Sequence, residues 1–195
     1  MNSFNESEFM DICRRFEAEP RVREITISYP RSSYFNRIKN SVQKDRRGEV
    51  VFCVIRPNRK ILVVTCKEYP PDIYRVPTGG IGHSEDIVEA VYREVKEELG
   101  LCTEISSFAG AVKFRLEYAG DSVMFYSYVF ILRETGGRLL LDASDDEISQ
   151  VREVDLNGLD DVVQKLCSIE GRWKDWGRLR CESSRAVLEY LKSEL

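Results

Sequence analysis

The nine residues Val123-Met124-Phe125-Tyr126-Ser127-Tyr128-Val129-Phe130-Ile131 carry almost no polar side chain. Successive side chains of an extended chain point to opposite faces, so a run without a polar face predicts a strand buried on both sides, at the centre of a sheet. A helix crossing a bilayer would need about 20 apolar residues, and no run in the chain approaches that length. The rest of the chain therefore has to supply neighbouring strands and two covering layers.

The remaining patterns can do so. Phe9, Ile12, Cys13 and Phe16 recur at helical spacing over residues 6–18, and Pro20 ends that pattern. Strands are predicted over 22–29, 49–55, 60–66, 108–118, 123–132 and 150–154, with shorter extended pieces over 73–76 and 138–141. Arg56-Pro57-Asn58-Arg59 and Ala119-Gly120-Asp121 read as hairpin turns, and Gly136-Gly137 as a turn. Helices are predicted over 86–99, 159–168 and 183–194. Strands interrupted by one long central helix give a mixed α+β layout rather than regular βαβ alternation. The segment from Arg31 to Arg47 holds Arg31, Arg37, Lys39, Lys44, Arg46 and Arg47 against the single acid Asp45. It reads as a solvated connection or as a contact for an anionic partner or substrate. The organisation expected is an N-terminal helix, strand and basic loop (1–46), a central domain (47–170) and a C-terminal helical segment (171–195). In that last segment Trp173, Trp176, Val187, Leu188 and Leu191 offer apolar surface for docking on the same chain or on a second copy in a homodimer.

Lys and Arg total 29 against 33 Asp and Glu, a net charge of −4 that argues against a broad nucleic-acid or membrane-surface binder. No secretory signal is legible near Met1, and the expected location is the cytoplasm. The six cysteines contain no C-x-x-C pair, and Cys53, Cys66 and Cys167 sit in apolar runs, so they read as small buried hydrophobes of a reducing compartment. A single histidine, His83, argues against most zinc sites and against a Ser-His-Asp triad.

Chemistry concentrates between Gly79 and Leu101. On a helix, Glu94, Glu97 and Glu98 fall within an arc of about 100°, beside the apolar stripe of Val88, Val91, Val95 and Leu99. Glu94 and Glu98 are like charges at i, i+4, which costs an isolated helix about 0.2–0.5 kcal/mol; a hard divalent cation reverses that sign. A solvated acidic face is the competing explanation. Gly79-Gly80 allows a backbone excursion that brings Glu85 and the helix start to the sheet, Ser84 can cap the helix, and Gly100 fits a left-handed stop. Neither a Walker loop nor a dinucleotide fingerprint is present.

Gly79, Glu85, Arg93, Glu94, Val95, Glu97, Glu98, Gly100 and Leu101 match every fixed position of the Nudix box, and in this stretch the chain resembles the Nudix hydrolases. The departure is His83-Ser84, where that family often has Pro-Gly. The resemblance implies a Nudix-like α/β/α sandwich with a mixed sheet, from about residue 47 to 160. It implies hydrolysis of a nucleoside diphosphate linked to another moiety, with Mg2+ or Mn2+ as cofactor. By similarity Glu94, Glu97 and Glu98 are metal ligands or base, with Glu97 and Glu98 as the direct ligands, and Arg93 orients the glutamates by pairing with Glu85. An acid in the later loop, Glu147 or alternatively Asp146, stands where many family members keep a base or extra ligand; an acidic turn is the plain reading. Gly79 and Gly80 are expected to bind substrate, Arg75 is a candidate phosphate contact, and Lys113 and Arg115, on the strand face opposite Phe114 and Leu116, meet either phosphate or simply water. Tyr118 stands near the tyrosine of the dinucleoside-polyphosphate type, although strand packing accounts for it equally. The proline of the ADP-ribose type is absent, since no proline follows Pro77. A non-catalytic nucleotide sensor is the alternative function; an isopentenyl-diphosphate isomerase lacks a matching cysteine setting here.

Overall fold

The computed structural model describes residues 3–145 and 147–194. In chain order the elements are α1 (Glu6–Arg15), β1 (Val22–Ser28), α2 (Ser32–Lys44), β2 (Arg46–Ile55), β3 (Ile61–Cys66) and β4 (Thr78–Gly82). They continue with α3 (Ile87–Glu94), which runs into a π-helical turn (Val95–Leu99), then β5 (Leu101–Tyr118), β6 (Asp121–Gly137) and β7 (Ile148–Val154). The chain closes with α4 (Leu156–Ser168), a 3-10 turn (Gly171–Trp173) and α5 (Lys174–Ser193).

The sheet order is β1-β5-β6-β2-β3-β7, with β4 added on β2. The β1–β5 and β2–β6 pairs are parallel, and the β5–β6, β2–β3, β2–β4 and β3–β7 pairs are antiparallel. The apolar run from Val123 lies in β6, between β5 and β2, as its two buried faces require. Tyr126, Tyr128 and Phe130 join Val50, Phe52 and Val54 of β2 in one core, covered by Phe9 and Ile12 of α1 and by Val88, Val91, Val95 and Leu99 of the α3 segment. Val129 and Ile131 face the other way with Val51 and Cys53, under Leu159, Val163 and Leu166 of α4 and Trp176, Val187 and Leu188 of α5. Two helical layers therefore enclose a mixed sheet. Among the described residues no helix is long and apolar enough to cross a membrane.

Several local expectations need correction. The basic connection is largely helical: Phe35, Ile38 and Val42 of α2 recur at i, i+3, i+7 and are buried against Phe114, Leu116 and Phe125, with the cations on the outer face. Arg46 and Arg47 already belong to β2, where Arg47 pairs with Glu8 at 2.7 Å. Gly136 and Gly137 do not turn; they extend β6 opposite Leu101 and Cys102. The piece over 138–141 forms no strand, because Leu140 N–H donates to Leu99 O at 2.8 Å and Arg138 is held by Asp142. Over 73–76 only an isolated bridge forms, Val64 to Arg75. Cys167 and Cys181 are joined in a disulfide across α4 and α5, which bring their Cα atoms to 5.1 Å. Of the free thiols Cys13 and Cys53 are buried, Cys66 is half-buried and Cys102 is exposed.

Candidate active site

The acidic helix is capped by Asp86, two residues beyond the expected Ser84. Glu85 Oε2 accepts from Gly82 N at 2.9 Å and Glu85 N–H donates to Gly82 O at 3.2 Å, which folds the loop back on itself. Asp86 then becomes the cap, its Oδ1 accepting from Val88 N at 2.8 Å and Glu89 N at 3.0 Å. At the far end Gly100, with φ 70°, closes the helix through a bond to Lys96 O. Gly79 and Gly80 serve by their lack of volume rather than by backbone freedom: both lie in β4 without positive φ. A Cβ on Gly79 would sit 2.1 Å from Glu94 Cγ, and one on Gly80 would sit 2.5 Å from the Arg46 guanidinium.

Arg93 is the hub. Its Nε and Nη2 donate to the two oxygens of Glu85 at 2.6 and 3.0 Å, a bidentate pair. Nη1 reaches Glu94 Oε1 at 2.8 Å and Glu97 Oε2 at 2.9 Å, and Nη2 also reaches Gly80 O at 2.8 Å. The bond from Arg93 holds the Glu85 carboxyl below its usual range, against a smaller effect of burial. Lysine has no planar fork for this geometry. Arg93→Lys should therefore lower turnover by at least about 10-fold with charge conserved, and a steady-state assay showing full rate would remove the orienting role.

Glu98 faces elsewhere. It is 5% exposed, and its Oε2 has no hydrogen-bond partner among the described residues. Burial pushes its pKa up to about 8, opposed by Arg75 and reinforced by Glu94, Glu147 and Asp145. Burial also raises Glu94, with Arg93 opposing it. The loop after β6 is clamped to this end of the helix, since Ser144 N and Asp145 N both donate to Glu97 O at 3.0 Å. Glu147 is exposed and its N–H donates to Asp145 Oδ1 at 2.6 Å; Asp146 lies outside the described residues.

The structure thus brings together Gly79, Gly80, Arg93, Glu94, Glu97 and Glu98, with Glu147 and Arg75 in electrostatic reach of Glu98. Arg75 is only 4% exposed, a wall residue bonded to Tyr69 Oη at 3.0 Å, Val76 O at 3.1 Å and Thr78 Oγ1 at 3.2 Å. Lys113, Arg115 and Tyr118 have other partners: Glu6 at 2.9 Å, Glu117 at 2.7 Å and the Phe35 ring at 5.9 Å. Residue patterns alone also missed a buried pair on the opposite face of the sheet. Glu49, 1% exposed, accepts from Arg180 Nη1 at 2.7 Å and Ser127 Oγ at 2.7 Å. The available signal was an acid heading the apolar strand Val50 to Ile55.

Among the described residues no three acids already converge as a ligand set, because Arg93 engages one oxygen each of Glu94 and Glu97. The buried, unpartnered Glu98 oxygen beside Glu94 nevertheless suits a hard divalent cation, which binds carboxylate oxygen and keeps several waters.

A sequence profile of the NUDIX domain matches residues 45–176. The chain belongs to the Nudix family. An ADP-ribose pyrophosphatase of Methanocaldococcus jannaschii is 31% identical over 126 residues, covering 63% of this chain and 72% of that protein. Nudix hydrolase 27, chloroplastic, of Arabidopsis thaliana is 30% identical over 114 residues, half of each chain. The crystal structure of a UDP-X diphosphatase superposes with a TM-score of 0.51 at 12% identity, over 83% of this chain and 72% of that one, which shows the shared fold. As a Nudix hydrolase the protein acts on pyrophosphate bonds, and the mixed α+β sandwich is the one the box implied.

Proposed function

We propose that the chain hydrolyses a nucleoside diphosphate linked to another moiety, using magnesium or manganese at Glu94, Glu97 and Glu98. The observation that carries this is the orphaned Glu98 oxygen, buried and in electrostatic contact with Glu94 at the helix end to which Ser144 and Asp145 are bonded. Glu94 and Glu98 are the pair of acids in electrostatic contact there, with Glu97 more exposed at the rim. A bound divalent ion supplies charge neutralisation at the pyrophosphate and a more acidic water. Arg93 fixes the glutamates relative to β4, and Arg75 adds a fixed positive charge in the wall. The water oxygen bonds one phosphorus and the bridging oxygen leaves with the other half; in this reading Glu147, on the exposed loop, takes the water's proton.

The name of the archaeal relative makes ADP-ribose one substrate to try, while the missing proline after Pro77 points away from that type. A magnesium-supplemented screen of ADP-ribose, dinucleoside polyphosphates and nucleotide sugars, with products identified by mass spectrometry, tests the reading. Two phosphate-bearing halves are expected from at least one compound, and no metal-dependent cleavage of any would overturn it. Glu147→Gln should cut turnover on the order of 10²-fold with Mn2+ affinity retained, the pattern of a lost base. A parallel loss of affinity would make Glu147 a ligand, and no change in either would make it a bystander.

A further inference from the structure

A second cavity, of about 660 Å³, opens between α2, the loop after β3 and the start of α5. Its wall carries Tyr69, Trp173 and Trp176, whose ring centroids lie 4.5 Å (Tyr69–Trp176), 5.8 Å (Tyr69–Trp173) and 5.5 Å (Trp173–Trp176) apart. Arg37, Lys67 and Arg172 stand around the rings, with Glu68 as the acid among the described lining residues. Arg37 and Lys67 form no ion pair with any described residue, although the chain as a whole is acidic. Arg172 lies 5.6 Å from the Trp173 ring centroid. The walls are tied together by Arg31, whose Nη2 donates to Gly171 O at 3.0 Å.

The cavity is linked to the carboxylate cluster through Arg75. Tyr69 Oη accepts from Arg75 Nε at 3.0 Å, and Arg75 is in turn the cation nearest in effect to Glu98. Arg75 thus bonds to the aromatic wall and acts electrostatically on the buried glutamate. Flat π surfaces stack on any nucleobase, and unpaired cations around them attract phosphate. We infer that this cavity binds the nucleoside monophosphate half of the substrate, the base stacking on Trp173 with the Tyr69 ring at its edge and its phosphate meeting Arg37, Lys67 and Arg172. The inference rests on the nucleotide reading above and adds where the nucleoside goes. Ser33, Tyr34 and Arg37 come from α2, ahead of the stretch that matches the NUDIX domain, so this wall is a contribution of the flanking segments.

Trp173 and Trp176 are the only two tryptophans in the chain, so its tryptophan emission reports on this cavity alone. Full-length protein in chelator is titrated with AMP, GMP, CMP and UMP, and with ribose 5-phosphate as the base-free probe. Saturable quenching by at least one mononucleotide, and none by ribose 5-phosphate, is expected. Trp173→Ala should weaken that binding on the order of 10-fold, read from the remaining Trp176, with Trp173→Phe recovering most of it; the same variant should raise KM and spare kcat. Trp173 is half-buried in the wall, so circular dichroism of Trp173→Phe controls for folding. Equal quenching by ribose 5-phosphate, or an unchanged KM in Trp173→Ala, overturns the assignment while leaving metal-dependent hydrolysis intact. Mononucleotide binding without any hydrolysis by the native chain would instead overturn the catalytic reading and keep the cavity.

Discussion

Glu98→Gln is expected to lower turnover by about 10²-fold or more and, in chelator above neutral pH, to raise the melting temperature. The first effect follows from removing a preorganised charge at the reacting phosphates. The second follows from linkage. Burial lifts the Glu98 pKa from 4.5 to about 8, so between those values the folded protein holds a proton that the unfolded chain releases. A folded state that binds more protons loses stability as pH rises, here from about 4.5 until the carboxyl has ionised near 8. Glutamine fills the same space without titrating. Thermal melts of the two proteins in chelator should coincide at pH about 4.5 or below and draw apart progressively up to about pH 8, by several degrees or more, since each pH unit in that window costs the native protein about 1.4 kcal/mol. Added magnesium should stabilise the native protein and leave the variant unmoved. A variant that melts below the native protein at high pH in chelator, or that keeps near-normal turnover, would refute the role given to this side chain.

The largest effect on folding is expected from Arg180→Leu. Burial alone would raise the Glu49 carboxyl, but the Arg180 guanidinium holds it below the ordinary carboxylate range. Without that cation Glu49 keeps only Ser127 Oγ at 2.7 Å and Ser183 Oγ at 3.4 Å. Removing one partner of a buried pair costs about 3–5 kcal/mol, on the order of 10 °C in melting temperature for a domain of this length. The deficit should shrink as pH falls, since protonated Glu49 no longer needs a counter-charge. Combining Arg180→Leu with Glu49→Gln should recover much of the loss. Equal melting of single and double variants would show that the damage comes from lost packing of α5 rather than from the stranded carboxylate.

Residue patterns revealed the strands and helices whose hydrophobic periodicity is undiluted. The β6 run and the Val88, Val91, Val95, Leu99 stripe are of that kind, because burial on two faces or one stripe leaves no alternative pattern. The α2 helix was hidden because its apolar positions, Phe35, Ile38 and Val42, are spaced among Arg37, Lys39 and Lys44, which dominate a reading by charge. The β4 strand was hidden because Gly79, Gly80 and Gly82 have no side chains to alternate, and it is defined by its antiparallel pairing with β2. In the site, spacing put the glutamates on one arc. Only tertiary contact distinguishes Glu97, tied to Arg93, from Glu98, turned inward with a free oxygen. The Cys167–Cys181 bond joins two different helices and the Glu49–Arg180 pair joins positions 131 residues apart, so periodicity within a single element reveals neither.

The buried Glu49–Arg180 pair also sets a timetable for synthesis. At translation rates of about 5–20 residues per second, β2 emerges roughly 4–16 s before its partner strand β6, which lies 78 residues later at Glu49 and Ser127. Arg180 follows Glu49 by 131 residues. Throughout that interval Val50 to Ile55 is an apolar strand without its central neighbour, the kind of segment that pairs with copies of itself. A free carboxylate at its head, flanked by Arg46 and Arg47, gives the nascent strand a hydrated gatekeeper. Helix α5 then turns that guard into a closure: as it seats, Arg180 meets Glu49 at 2.7 Å, so the charge that protects the growing chain ends as a buried, paired one.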